Sequence, residues 1–267
     1  MKRLAALCTT VIVAIAGLAA AAPAQAAGGP SVLTVGHSWT DVSLPSSPSG
    51  EYSLGIYFYG LQLGQDIDTK AVSIGTDTWT SQPRAKGRCA RPRLTMQADG
   101  AAVLHCGAQR LWATPTKGTG SGNSFRIRDT GRLVVTTRTG QVVWRSHSGP
   151  ALMAAGTQLL PGQYLLNCSG SGPCQSLTMR RNGDLALRYG KRVDWHTRTA
   201  GHAGARLVFT RSGALQVVGP HGRILWRSHT GGVGPATYLI VDLNPPGTAA
   251  RLDMASESHP KFRWTRP

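Results

Sequence analysis

Gln97, Asp99, Val103 and His105 fall at odd positions along LTMQADGAAVLHCGAQRLWATPT, residues 94–116. Alternation of this kind places side chains on one face of a strand. An amide, a carboxylate, an apolar residue and an imidazole therefore share a face, as in a small polar pocket built on a β-hairpin. A plainer reading stands beside it. Asp before Gly is good turn chemistry by itself, and Gln97 then serves only as an exposed strand residue. No catalytic constellation accompanies the set: the acids are scattered, the eight histidines lack metal-like spacing, and no serine sits in a nucleophile context. The residues point away from an enzyme, and no cofactor or metal is implied.

The elements that must position these residues come from a repeat. LTMRRNGDLALRYGKRVDWHTRT, residues 177–199, matches the opening stretch at an offset of 83, and residues 125–149 match 207–231 at an offset of 82. The chain reads as a tandem duplication with a seam near Ser148 to Ala155. The unit is an alternating segment, an X-Gly pair, a second alternating segment, another Gly and a Trp. The pairs are Asp99-Gly100, Thr130-Gly131, Asn182-Gly183 and Ser212-Gly213, and the tryptophans are Trp112, Trp144, Trp195 and Trp226. Each unit predicts three short strands joined by tight turns. Weaker units lead to Trp79 and Trp264, giving six in all, with Trp39 outside the scheme. Ala102/Leu104, Leu133/Val135, Leu185/Leu187 and Leu215/Val217 should face a core, and their mixed neighbours should form an outer face. Three sheets per half, each with one apolar face, can close around a shared axis, with the unit-ending tryptophans filling the two centres.

Lys2 and Arg3, an apolar run from Leu4 to Ala22 and the small-residue pattern Ala24-Gln25-Ala26 make residues 1–26 a secretory signal peptide. The remainder divides into 27–150 and 151–267. Cys89, Cys106, Cys168 and Cys174 then remain, an even number that suggests disulfides in an exported chain. Three pairings are possible. Sequence proximity favours Cys89–Cys106 and Cys168–Cys174, and buried free thiols are the alternative. Charge is uneven. Residues 27–80 hold one Lys and five acids, whereas residues 81–230 hold 22 Lys and Arg against four acids. Such a field attracts polyanions. The surplus of Arg over Lys, with abundant Ala and Gly, is also what a high-GC genome writes on a solvated surface.

The recurring Leu-x-Met/Ile-x-x-x-Gly…Trp-x-Ser/Thr units and their threefold grouping resemble the bulb-type lectin family, the monocot mannose-binding or snowdrop-like lectins. The resemblance spans roughly Ser31 to Trp264. It implies an all-β fold of two tandem type II β-prisms, each with three antiparallel sheets around a pseudo-threefold axis. Two tandem copies also resemble the lectin-like bacteriocins. The family's sugar motif is Gln-x-Asp-x-Asn-x-Val-x-Tyr. Carried over, it implies a carbohydrate site at Gln97, Asp99 and Val103, with Ala101 in place of Asn and His105 in place of Tyr. The corresponding positions in a second unit hold Arg180, Asn182, Asp184, Ala186 and Arg188, of which Asn182 and Asp184 join the candidate site. A third unit holds Arg128, Thr130, Arg132, Val134 and Thr136, and a fourth holds Thr210, Ser212, Ala214, Gln216 and Val218. Arg128, Arg132, Arg180 and Arg188 suit carboxylates or phosphates through their rigid donor fork. The implied partner is a cell-surface or cell-wall glycan, neutral or anionic, for an exported lectin, and the bacteriocin resemblance implies an antibacterial role. A protein-interaction module on a lapsed lectin scaffold and a basic binder of polyanions such as teichoic acid are the other two readings.

Overall fold

The computed structural model describes residues 30–43, 45–57, 60–68, 73–81, 89–168, 173–231, 237–242, 251–256 and 265–266. The expected signal peptide and Trp264 lie outside the described residues. All described regular structure is β. In the first half a leading segment gives β1 (Val32–Thr34) and β2 (Ser38–Thr40). Three strand triplets follow: β3 (Tyr52–Tyr57), β4 (Gly60–Asp68) and β5 (Ser73–Thr80); β6 (Pro92–Met96), β7 (Ala102–Cys106) and β8 (Gln109–Ala113); β9 (Ser124–Arg128), β10 (Arg132–Thr136) and β11 (Val142–Arg145). The second half repeats the plan. Its leading strands are β12 (Leu152–Ala154), β13 (Gln158–Leu159) and β14 (Tyr164–Asn167). Its triplets are β15 (Gln175–Met179), β16 (Leu185–Tyr189) and β17 (Arg192–His196); β18 (Arg206–Phe209), β19 (Leu215–Val218) and β20 (Ile224–Arg227); β21 (Thr237–Asp242), β22 (Arg251–Ser256) and β23 (Thr265–Arg266).

Each triplet is an antiparallel meander, and the leading segment adds a further strand to it. Strand β1 joins the third triplet of its half and β2 the second, while Ser46 bridges Ser53 of the first. In the second half β12 joins the third triplet, β13 the second and β14 the first. Three sheets thus surround each core. The inward residues behave as the alternation predicts: Ala102, Leu104, Leu133, Val135, Leu185, Leu187, Leu215 and Val217 are fully buried. Two separate apolar clusters result, one per half.

Four units carry the same latch. After Trp112, Trp144, Trp195 and Trp226, two hydroxyl residues follow at alternate positions. Thr114, Ser146, Thr197 and Ser228 accept hydrogen bonds from the N–H groups of Ala102, Leu133, Leu185 and Leu215 at 2.9–3.1 Å. Thr116, Ser148, Thr199 and Thr230 donate to the carbonyls of Gly100, Gly131, Gly183 and Gly213 at 2.7–2.8 Å. The two hydroxyls of each pair lie 2.6–2.7 Å apart. Ser81 begins the same latch after Trp79, accepting from Leu61 N–H at 2.8 Å. The glycine is required where the latch ends. Gly183 has φ +93°, and an added Cβ would collide with the His202 carbonyl.

Three expectations need correction. The tryptophans converge as expected but do not fill the centres alone. Trp79, Trp112 and Trp144, from three different sheets, meet edge-on at 5.8–6.0 Å, as Trp195 and Trp226 do at 5.3 Å. Each lies on the last strand of its meander, is only half-buried, and packs against a fully buried aliphatic core. Trp39, outside the repeat scheme, is the deeply buried one at 4% exposure. Secondly, the offsets of 82–83 do not superpose the halves. They pair the second triplet of one half with the first of the next, and the third with the second. Equivalent places in the two halves, Trp112 and Trp226, lie 114 residues apart. Similar meanders align with one another whatever their rank. Thirdly, the outer face is less open than alternation suggests, since Ala101, Val103, Val134, Asp184, Ala186 and Val218 are all buried.

The disulfides are Cys89–Cys106 and Cys168–Cys174, with Cα separations of 5.7 and 4.3 Å. Between the halves, buried Gln65 accepts from the N–H groups of Ala151 and Leu152 at 2.8 and 3.0 Å. No helix among the described residues is long and apolar enough to cross a membrane.

Candidate functional site

A polar recess lies on the outer face of the β3–β4–β5 sheet. It encloses about 280 Å³ and is lined by Ser53, Gly55, Tyr57, Gln62, Gly64, Asp66 and Asp77. Alternation builds it. Along β4, Leu61 and Leu63 face the core, which sends Gln62, Gly64 and Asp66 outward. Gly55 and Gly64 leave the floor bare, and the Tyr57 ring, 43% exposed, lies over Gly55 where a Cβ would collide with it. The Gln62 amide donates to an Asp77 carboxylate oxygen, and Ser53 Oγ donates to Asp66 at 3.1 Å. Burial pushes the Asp77 carboxyl above its ordinary range. The Gln62 hydrogen bond opposes this and the nearby Asp66 charge adds to it. A ring platform, an amide and two carboxylates over a glycine floor can bind hydroxyl groups in a fixed geometry.

Sequence reasoning missed this recess, because its unit aligns poorly with the others. The signal was the period-two spacing of Gln62, Gly64 and Asp66 against Leu61 and Leu63.

The residues singled out from sequence are placed as follows. Gln97, at the end of β6, brings its Nε2 to 3.3 Å from His105 Nε2 on β7. Val103, on the same face of β7 as His105, is buried at 3% exposure, so little of it is offered to a ligand. Asp99 Oδ1 accepts from Ala101 N–H at 3.1 Å, closing the turn. Asn182 does the same with Asp184 N–H at 3.2 Å. Asp184 is not offered to a ligand as its alignment implied. At 2% exposure it accepts from Thr197 Oγ1 and Thr199 N–H, both at 3.1 Å, and meets His196 Nδ1 at 2.9 Å and Arg180 at 3.7 Å. A buried carboxylate so fully engaged holds the latch of its unit. Arg132 is occupied as well, donating to Tyr164 Oη across the halves and to Ser148 O. Arg188 donates to Lys191 O within its own turn. His147 approaches Cys168 and Cys174, but both sulfurs belong to the disulfide.

One cross-strand row varies from sheet to sheet. It sits at the bulge just beyond the core Leu–Trp pair. On the first sheet it is Ser53–Gly64–Asp77, part of the recess. On the second it is Arg93–His105–Arg110. On the third it is Ser124–Thr136–Val142. In the second half it is Ser176–Arg188–Val193 and then Arg206–Val218–Ile224.

No protein-family model and no curated protein matches the chain. Among solved structures it is similar to a monomeric monocot mannose-binding lectin from Gastrodia elata, at 23% identity over 43% of this chain and 94% of that one, with TM-score 0.36. It is similar to the mannose-specific agglutinin from snowdrop (Galanthus nivalis) bulbs, at 24% identity over 37% and 96%, with TM-score 0.30. It is also similar to the two-domain, fetuin-binding agglutinin of Scilla campanulata, at 18% identity over 76% and 91%, with TM-score 0.33. No residue role is carried over from these proteins.

Proposed function

We propose that the chain is a secreted, non-enzymatic carbohydrate-binding protein that works from the outer faces of its sheets. In this reading residues 27–150 and 151–267 are two lectin-like domains behind a leader, residues 1–26, that export removes. The two disulfides fit an oxidising compartment. The observation that carries the reading is the recess of Tyr57, Gln62, Asp66 and Asp77 over bare glycines. Gln97, Asp99, Val103 and His105 form a second site, where a ligand displaces the Gln97–His105 contact. Ala101 there offers no amide, which costs about 0.5–1.5 kcal/mol for each sugar hydrogen bond lost. Asn182 with Asp184 is the weakest of the three, its carboxylate being engaged inside. The partner is a glycan of a cell surface or cell wall, and an antibacterial role would follow from a bacterial one.

A glycan array at high protein concentration tests the proposal. Binding that Tyr57→Ala and Asp77→Asn each abolish supports it. Absence of signal on every glycan, or binding indifferent to both substitutions, overturns the assignment.

A further inference from the structure

The row on the second sheet, Arg93–His105–Arg110, gathers cations that the fold does not require. Arg93 and Arg110 stand on opposite sides of His105, two strand spacings or roughly 10 Å apart on one face. The same row elsewhere accepts serine, glycine, threonine, valine or isoleucine, and the other four examples hold at most one cation each. Here two guanidiniums flank an imidazole. Arg93 and Arg110 are exposed, and neither forms an ion pair with a described residue. The second half treats its cations differently: Arg192 is held by both oxygens of Asp194 at 2.5 and 3.3 Å.

The row also leads somewhere. Thr40 extends it on β2, opposite Arg93, and there a second recess of about 280 Å³ opens, lined by Thr40, Asp41, Arg91 and Arg93 among others. Asp41 is the acid that faces it. At the other side stands the Gln97 amide, in contact with His105. A donor set of guanidiniums, hydroxyl and amide matches the oxygens of a phosphate or carboxylate, which Arg grips in bidentate fashion.

We infer that this row is an anion subsite that takes the repeating phosphate or carboxylate of an anionic polysaccharide. The inference rests on the glycan-binding reading for the nature of the polymer, and it places the charged group about one sheet away from the hydroxyl-binding recess. A polymer laid across both would meet carboxylates at Tyr57 and cations at Arg93.

The test uses the full exported chain and three probes: poly(glycerol phosphate), polygalacturonate and neutral dextran. Affinities are compared at about 0.15 M salt, where long-range attraction is screened. Arg93→Gln with Arg110→Gln should weaken binding of an anionic polymer by about tenfold or more. The charge-matched control, the exposed pair Arg211→Gln with Arg223→Gln, should change it less than about twofold. Binding of one anionic polymer and not the other supports the subsite and identifies its anion. Equal losses in both double variants overturn it in favour of unspecific net charge, and so does failure to bind either anionic polymer. Neutral-glycan binding lost in Tyr57→Ala but kept in Arg93→Gln/Arg110→Gln supports the recess independently; anionic-polymer binding that needs Arg93 and Arg110 without any Tyr57-dependent glycan binding would overturn the recess alone, since each substitution leaves the other site intact.

Discussion

Replacing the last hydroxyl of the latch should have unequal effects in two units that are alike in sequence. Thr199→Val and Thr116→Val each exchange a buried hydroxyl for a methyl of nearly the same shape, so no cavity opens. At Thr116 both lost bonds have a reserve: Gly100 O, which accepts from Thr116 at 2.8 Å, also accepts from Asn123 Nδ2 at 3.2 Å, and the Thr114 hydroxyl, 2.7 Å from Thr116, still reaches Ala102 O at 3.5 Å. The cost is then one net hydrogen bond, about 0.5–1.5 kcal/mol. At Thr199 the lost bond is the 2.7 Å donation to Gly183 O, which has no second donor among the described residues. A buried carbonyl left unsatisfied costs about 1–3 kcal/mol. Thr197 keeps its bond to Asp184, so the loss stays confined to Gly183. Thr199→Val should therefore be the worse by roughly 1 kcal/mol, which corresponds to about 2–4 °C in melting temperature for a chain of this size. Urea unfolding followed by tryptophan fluorescence measures the difference. Equal costs would refute the role given to Asn123, and negligible costs at both sites would refute the latch as a source of stability.

Other perturbations report on other features. Gln65→Leu orphans two buried N–H groups between the halves and should cost about 2–6 kcal/mol, read as a drop in urea midpoint; a loss below about 0.5 kcal/mol removes Gln65 from the inter-half contact. Arg198 and His229 occupy the position between latch hydroxyls with φ +60° and +57°, whereas the matching residue of the second unit is Pro115. Arg198→Pro should therefore fail to fold stably while Arg198→Gly is neutral or stabilising, and a tolerated proline would contradict the left-handed backbone there. Hydrogen bonds from Ser49 hold the Asp129 carboxyl below its ordinary value. A lowered carboxyl stabilises the fold above its unfolded value, near 3.9, and that contribution disappears as pH falls through the folded value. Asp129→Asn should flatten the acid limb of the stability curve below about pH 4, and an unchanged limb would count against the Ser49 contact.

Strand triplets, inward faces and both disulfides were legible because each rests on local signals: alternation, X-Gly turns and cysteines close in sequence. The phase of the duplication was not. Meanders of equal length align at any rank, and only the leading strands distinguish a first from a second, yet these are two or three residues long and carry no motif. Asp184 was misjudged for a related reason. Its position matches Ala101 by sequence, but a carboxylate there meets Thr197, Thr199 and His196, and burial follows from those partners rather than from the period. The recess at Tyr57 was hidden because it draws on three strands joined by connections unlike those of the other units. Gln97 and His105 could be assigned to one face, but not their contact with each other.

The leading strands bear on how the chain matures. Strand β1 waits for β9 and β12 for β21, roughly 90 residues later in each case, while each meander can close as soon as it is made. The contacts that complete a half are therefore its least local ones, and least-local contacts set folding speed. Until they form, one edge of β6, β9, β18 and β21 is open to any extended strand, including the leading segment of a second molecule. A chain made N-terminus first offers its closing strands before their seats exist, so exchange between newly made copies competes with self-closure, and local crowding decides between them.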